Sequence, residues 1–124
     1  MTSPTADKGN RAEQVAAAYL EQQGYRILLC NYRCRTGEID IVAEEAGVLC
    51  FVEVRSTQSR AFGDPLETIR QKKQRRIIRA ARQYVATHRV AGQEIRFDVV
   101  GLVWQGLPED IRLVRGAFET RSVW

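Results

Sequence analysis

The sequence predicts one α/β domain in which helices flank a mixed sheet, in the element order αβββαββ. Two segments repeat apolar residues at helical spacing, around Val15–Leu20 and around Leu66–Tyr84. Five further runs are strand-like, either alternating apolar with polar residues or continuously apolar. At 124 residues the chain is large enough for one core and too small for two. Its apolar fraction of 44% and charged fraction of 27% are those of an ordinary globular protein. Residues 1–9 read as a flexible tail with no apolar stretch and no signal peptide, and residues 10–124 as the domain. No run approaches the roughly 18 apolar residues of a membrane span, so the expected compartment is the cytoplasm.

Asn10 is the expected N-cap of the first helix, with Glu13 three residues on completing a capping box, and Gly24 its end. Tyr25 to Cys34 follows as a strand through Ile27, Leu28 and Leu29. Glu38 to Glu45 and Val48 to Arg55 are the second and third strands, joined at Ala46-Gly47. If they form a hairpin about that break, opposed residue numbers sum to 93, which sets Asp40 across from Glu53 and Glu38 across from Arg55. The period of two then puts Ile39 and Ile41 on one face and Glu38 and Asp40 on the other. Ser56 to Asp64 is polar and aperiodic, and reads as a loop able to cover a site.

Pro65 suits the first position of a long helix running to about His88. Leu66, Ile69, Ile77, Ala80, Ala81 and Tyr84 share one face of it, and Lys72, Arg75, Arg76, Arg79 and Arg82 the other. Lys73 and Arg70 project toward the apolar face, to snorkel or to meet an inward polar partner. Glu94 to Trp104 is nearly continuously apolar on both faces except at Asp98, as an interior strand would be. Gln105-Gly106-Leu107-Pro108 turns the chain into a last strand, Ile111 to Ala117.

Charge is unevenly distributed. Between Arg70 and Arg89 there are eight Lys/Arg and no acid, and the rest of the chain carries eleven basic against fifteen acidic residues. Arginine outnumbers lysine sixteen to three, and the guanidinium fork suits phosphate. A polyanionic partner is expected, with Lys72, Arg75, Arg76, Arg79 and Arg82 as its nucleic-acid contacts; a solvated helix face is the plainer alternative. Cys30, Cys34 and Cys50 lack CxxC spacing and have only His88 as a possible nitrogen co-ligand. They read as buried, reduced core thiols rather than a zinc site.

Opposed carboxylates on neighbouring strands are destabilising, yet they are what a hard divalent cation takes as ligands. Asp40 and Glu53 are therefore the candidate ligands of magnesium or manganese, with the Val54 carbonyl a natural third and Glu13 a candidate addition from the first helix. Arg55 would meet a scissile phosphate and Lys73 would add a phosphate contact. Each has a plainer reading: Glu13 as a helix cap, Lys73 as a snorkelling side chain, Arg55 as the partner of Glu38.

Asp40, twelve intervening residues and then Glu53-Val54-Arg55, in a hairpin before a basic helix, resembles the PD-(D/E)XK nuclease superfamily. With Gly37-Glu38-Ile39-Asp40, Phe51 to Arg55, Lys73 and Arg96-Phe97-Asp98-Val99-Val100, the chain resembles more narrowly the small bacterial YraN-type family, which is similar in fold to archaeal Holliday-junction resolvases. The resemblance spans Gly9 to Phe118. It implies a restriction-endonuclease-like core, a metal site at Asp40 and Glu53, and an endonuclease acting on DNA, branched DNA included. Arg55 stands where the superfamily has lysine; it keeps the charge but cannot surrender a proton. The alternatives are an inactive nucleic-acid-binding module of the same fold and a protein-interaction scaffold. Junction cleavage would call for a homodimer, with Phe118 and Trp124 as candidate apolar contacts.

Overall fold

The computed structural model describes residues 4–105 and 110–119, residues 4–10 as backbone only. In chain order the elements are α1 (Pro4–Gln22), β1 (Arg26–Cys34), β2 (Gly37–Glu45), β3 (Val48–Thr57), a 3-10 turn (Arg60–Phe62), α2 (Gln71–Thr87), β4 (Ile95–Val103) and β5 (Asp110–Phe118). The five strands lie side by side in sequence order. Neighbours are antiparallel except β3 and β4, which are parallel. A parallel pair needs a crossover, and α2 supplies it. Among the described residues the chain is thus an α/β protein with a five-stranded mixed sheet and two α-helices. No helix among the described residues is long and apolar enough to cross a membrane.

Alternation along β3 separates the two cores. Cys50 and Val52 join Ala12, Ala16 and Leu20 of α1, together with Ile41, Ala43, Val100 and Leu102. Leu49 and Phe51 join Ile77, Ala80, Ala81 and Tyr84 of α2, together with Val42 and Phe97. Both faces of the sheet's middle are therefore dry, which is why β3 and β4 carry almost continuous apolar runs.

The helix boundaries differ from those expected. α1 begins at Pro4, so Asn10 lies inside the helix instead of capping it, and residues 4–9 belong to the helix. Proline is well tolerated in a first turn, and Gly9 alone costs only about 1 kcal/mol against alanine; neither stops the helix. α2 begins six residues later than Pro65, after Arg70 in an extended conformation. Asp64 accounts for this. Its carbonyl accepts the Glu67 N–H at 3.0 Å and its carboxylate accepts the Leu66 N–H at 2.8 Å. The segment is thus a β-turn with Pro65 at its second position, a place proline suits as well as a helix start. Pro65 and Leu66 lie over Gly101, where a Cβ would stand 2.8 Å from Leu66 Cδ2. Residues 64–70 so cover β4, and Leu66 and Ile69 pack from a turn rather than a helical stripe.

The expectation for the cysteines also changes. Of the cysteines, all unpaired, only Cys50 is buried; Cys34 is half-buried and Cys30 exposed on an edge strand. Phe118 stacks on Phe97 at 4.9 Å between ring centroids, within the core of its own domain. Trp124 and the turn residues Gly106 to Pro108 lie outside the described residues.

Candidate metal and phosphate site

The β2–β3 ladder runs from Glu45↔Val48 to Ile41↔Val52, the expected register. Asp40 and Glu53 are the next residues along, just past the last ladder pair. There the Val54 N–H donates to Asp40 Oδ2 at 2.8 Å, a side-chain acceptor where regular pairing would offer a carbonyl. Side-chain alternation breaks at the same place. Ile41 packs in the α1 core and Ile39 in the α2 core, so the two do not share a face as the simple period of two required. On β1, Asn31 takes a positive φ of 59° between the pairs Cys30↔Ile41 and Tyr32↔Ile39. Both strands switch faces at one level of the sheet, and Asp40 sits at the switch.

That position explains the electrostatics. Burial pushes the Asp40 carboxyl up to about 7; Glu53 and Glu13 push the same way, against the Val54 N–H and Lys73. Asp40 thus feels Glu13 from α1 on one side of the sheet and Lys73 from α2 on the other. The Glu13 carboxyl is raised by burial and by Glu38 and Glu53, with Arg33 opposing. Glu53 is buried, and the Lys73 ammonium lies 2.7 Å from its Oε1. The acids outnumber the cation in contact with them.

Among the described residues no three His, Cys, Asp or Glu side chains form a preassembled metal cluster. The close donor set is two carboxylates, with Glu13 acting on them at longer range. Magnesium, which keeps several waters and is held by one or two carboxylates together with substrate phosphates, suits that donor set. The raised Asp40 carboxyl adds to the fit, because a bound cation would supply the positive charge the pair lacks.

Asp40 and Glu53 line a cleft of about 830 Å³. One wall is the β1–β2 turn with Arg33 and Arg35, and the other is the start of α2 with Arg70, Lys72, Lys73 and Arg76. Gly37 lets the walls meet: a Cβ there would stand 2.9 Å from the Arg76 carbonyl oxygen. The first turn of α2 holds no acid, so its positive dipole end adds to the six cations.

Of the helix residues expected to bind nucleic acid, Lys72 and Arg76 reach this cleft, whereas Arg75, Arg79 and Arg82 lie on the exposed part of α2 outside it. Arg55 does not line the cleft; its guanidinium donates to the Glu67 carbonyl, and Glu38 pairs with Arg33 at 3.5 Å instead. Arg33 and Arg35 were not singled out from the sequence, although Arg33-Cys34-Arg35, two residues before Gly37, marks a cationic hairpin turn; Arg70, expected to snorkel or to meet an inward polar partner, lines the cleft. Asp98 serves another purpose. Fully buried, it accepts from the Tyr25 hydroxyl at 2.7 Å, Arg96 Nε at 2.8 Å and the Gly116 N–H at 3.0 Å, satisfying a polar network at the start of β4.

The model of the family described as "Uncharacterised protein family UPF0102" matches residues 12–102. A UPF0102 protein of Lachnoclostridium phytofermentans is 48% identical over 113 residues, covering 90% of this chain and 92% of its own length. One of Syntrophus aciditrophicus is 45% identical, covering 90% and 87%, and one of Myxococcus xanthus is 40% identical, covering 90% and 88%. The chain belongs to the UPF0102 family, in keeping with its YraN-type motifs.

Proposed function

We propose that this UPF0102 member is a metal-dependent endonuclease acting on DNA, with branched DNA among its substrates, on a restriction-endonuclease-like frame of the PD-(D/E)XK type. The observation that carries the proposal is the placing of Asp40 and Glu53 together on the floor of a cleft whose walls carry six cations. The spacing of Asp40 from Glu53-Val54-Arg55 and the crossover helix after the third strand support the frame.

Asp40 and Glu53 would hold magnesium or manganese, with Glu13 available from α1. Bound there, the ion would polarise the phosphoryl oxygens and lower the pKa of water. The chain's own groups do the rest. Arg33, Arg35, Arg70, Lys72 and Arg76 grip the sugar–phosphate backbone and orient one phosphodiester over the acids. Lys73 brings its ammonium to Glu53, next to where transition-state charge would develop. It takes the phosphate-binding part that Arg55, tied to the Glu67 carbonyl, does not. Cutting both strands of a junction takes two clefts, hence a two-fold dimer.

A second reading, nucleic-acid binding without turnover, is favoured by that same displacement of Arg55 from the cleft. Titrating manganese into the parent protein and into Asp40→Ala, alongside gel shifts with branched and linear DNA, tests both. Metal binding by the parent alone, together with DNA binding, is expected. DNA binding without metal binding would favour the second reading, and failure to bind any DNA at moderate salt would overturn both.

A further inference from the structure

One cation already occupies the acidic pair. Lys73 Nζ lies 2.7 Å from Glu53 Oε1, and the two ends of the contact differ: 55% of the lysine side chain is exposed, against 8% of the glutamate. Holding a long, solvated side chain in one geometry costs rotamer entropy. A surface ion pair by itself returns too little to offset that cost. The contact is sustained by the other end, where a buried carboxylate has a second carboxylate beside it. Among the described residues Lys73 is the one cation within ion-pair distance of Glu53. Lys72, on the same helical turn and lining the same cleft, touches neither acid.

Building on the metal site proposed above, we infer that Lys73 is a tethered occupant of the cation site. The Lys73 ammonium pairs with Glu53; it would give up that carboxylate when the two acids hold a divalent ion, and would then turn to a substrate phosphate. A divalent ion held by Glu53 would compete with the ammonium for that carboxylate, because two cations on one buried acid repel each other with little screening. Loading and phosphate binding are then coupled, since each removes the competitor of the other, and linkage makes the coupling equal in both directions.

The test is a calorimetric titration of manganese alone into the parent, Lys73→Met and Lys72→Met, which carry the same charge change one residue apart. An opposite charge next to a carboxylate changes its proton affinity by about ten- to a thousandfold, so Lys73→Met is expected to bind manganese at least about tenfold tighter. Lys72→Met should stay within about twofold of the parent. Equal effects of the two substitutions, or no gain in Lys73→Met, would overturn the displacement while leaving the metal site standing if the parent binds. Binding that appears only in Lys73→Met supports the displacement, and binding in none of the three removes the displacement and the metal site together. With a phosphorothioate tetranucleotide as the phosphate probe, manganese should tighten its binding to the parent more than to Lys73→Met, where only the ion's own contact with the phosphate remains. Equal tightening in the two would overturn the handover by Lys73.

Discussion

Replacing Asp40 by asparagine is expected to stabilise the metal-free protein at neutral and alkaline pH. Asparagine keeps the shape and an oxygen for the Val54 N–H, which Asp40 accepts at 2.8 Å, and removes a charge held among Glu53 and Glu13. Burial and those neighbours raise the Asp40 carboxyl from 3.8 to about 7. A displacement of that size corresponds to a ceiling of about 4 kcal/mol. With the effective dielectric of about 20 that fits buried sites, about 1–3 kcal/mol is the expected gain. The sign follows from linkage. Between the two values the folded chain keeps a proton that the unfolded chain has lost, so parent stability falls as pH rises from about 4 to 7 and is level above that. Urea denaturation in EDTA at pH 8 and at pH 4.5 reads both effects. Asp40→Asn should be more stable at pH 8, and the difference should shrink at pH 4.5. A variant no more stable at pH 8, or one with an equal advantage at both pH values, would refute the crowding of charge at Asp40.

The cationic walls make separate predictions. Arg35→Ala and Arg76→Ala should each weaken duplex DNA binding and flatten the dependence of log affinity on log salt by about 0.9 for each phosphate left without its cation. Arg55→Ala should leave that affinity within about twofold, because its guanidinium is engaged by the Glu67 carbonyl outside the cleft; a weakening like that of Arg76→Ala would contradict its placement. Asp98→Ala removes the acceptor of the Tyr25 hydroxyl, of Arg96 Nε and of the Gly116 N–H, and leaves the Arg96 guanidinium with Glu45 as its carboxylate partner. By the measure of a broken buried ion pair it should cost about 3–5 kcal/mol in urea denaturation.

The β2–β3 pairing was legible because its information is local. Ala46 and Gly47 both adopt positive φ, at 50° and 83°, as a tight two-residue hairpin requires. The alternation on either side then fixes the register that places Asp40 beside Glu53. The switch of faces at Asp40 was not legible, since it depends on Asn31 in the adjoining strand taking a left-handed conformation that no periodicity announces. The misplacement of Arg55 follows from that of α2. Asp64-Pro65 satisfies the rules for a helix start and for a β-turn alike. Gly101, with no side chain beneath Leu66, leaves room for the turn that Asp64 holds and that brings the Glu67 carbonyl to Arg55. Asn10 carried a cap signal, but nothing before it was strong enough to end the helix. Arg33 and Arg35 were overshadowed by the denser charge of α2, and became part of the cleft because Gly37 lets the hairpin rest on Arg76.

The most direct measurement is cleavage of end-labelled branched and linear DNA by the parent and by Glu53→Gln, with manganese and with EDTA. The expected result is product from the parent with manganese, none with EDTA, and none from Glu53→Gln under either condition although it still binds DNA. Product of equal yield from Glu53→Gln would contradict the assignment of Glu53, and DNA bound but left intact by the parent with manganese would contradict the endonuclease itself.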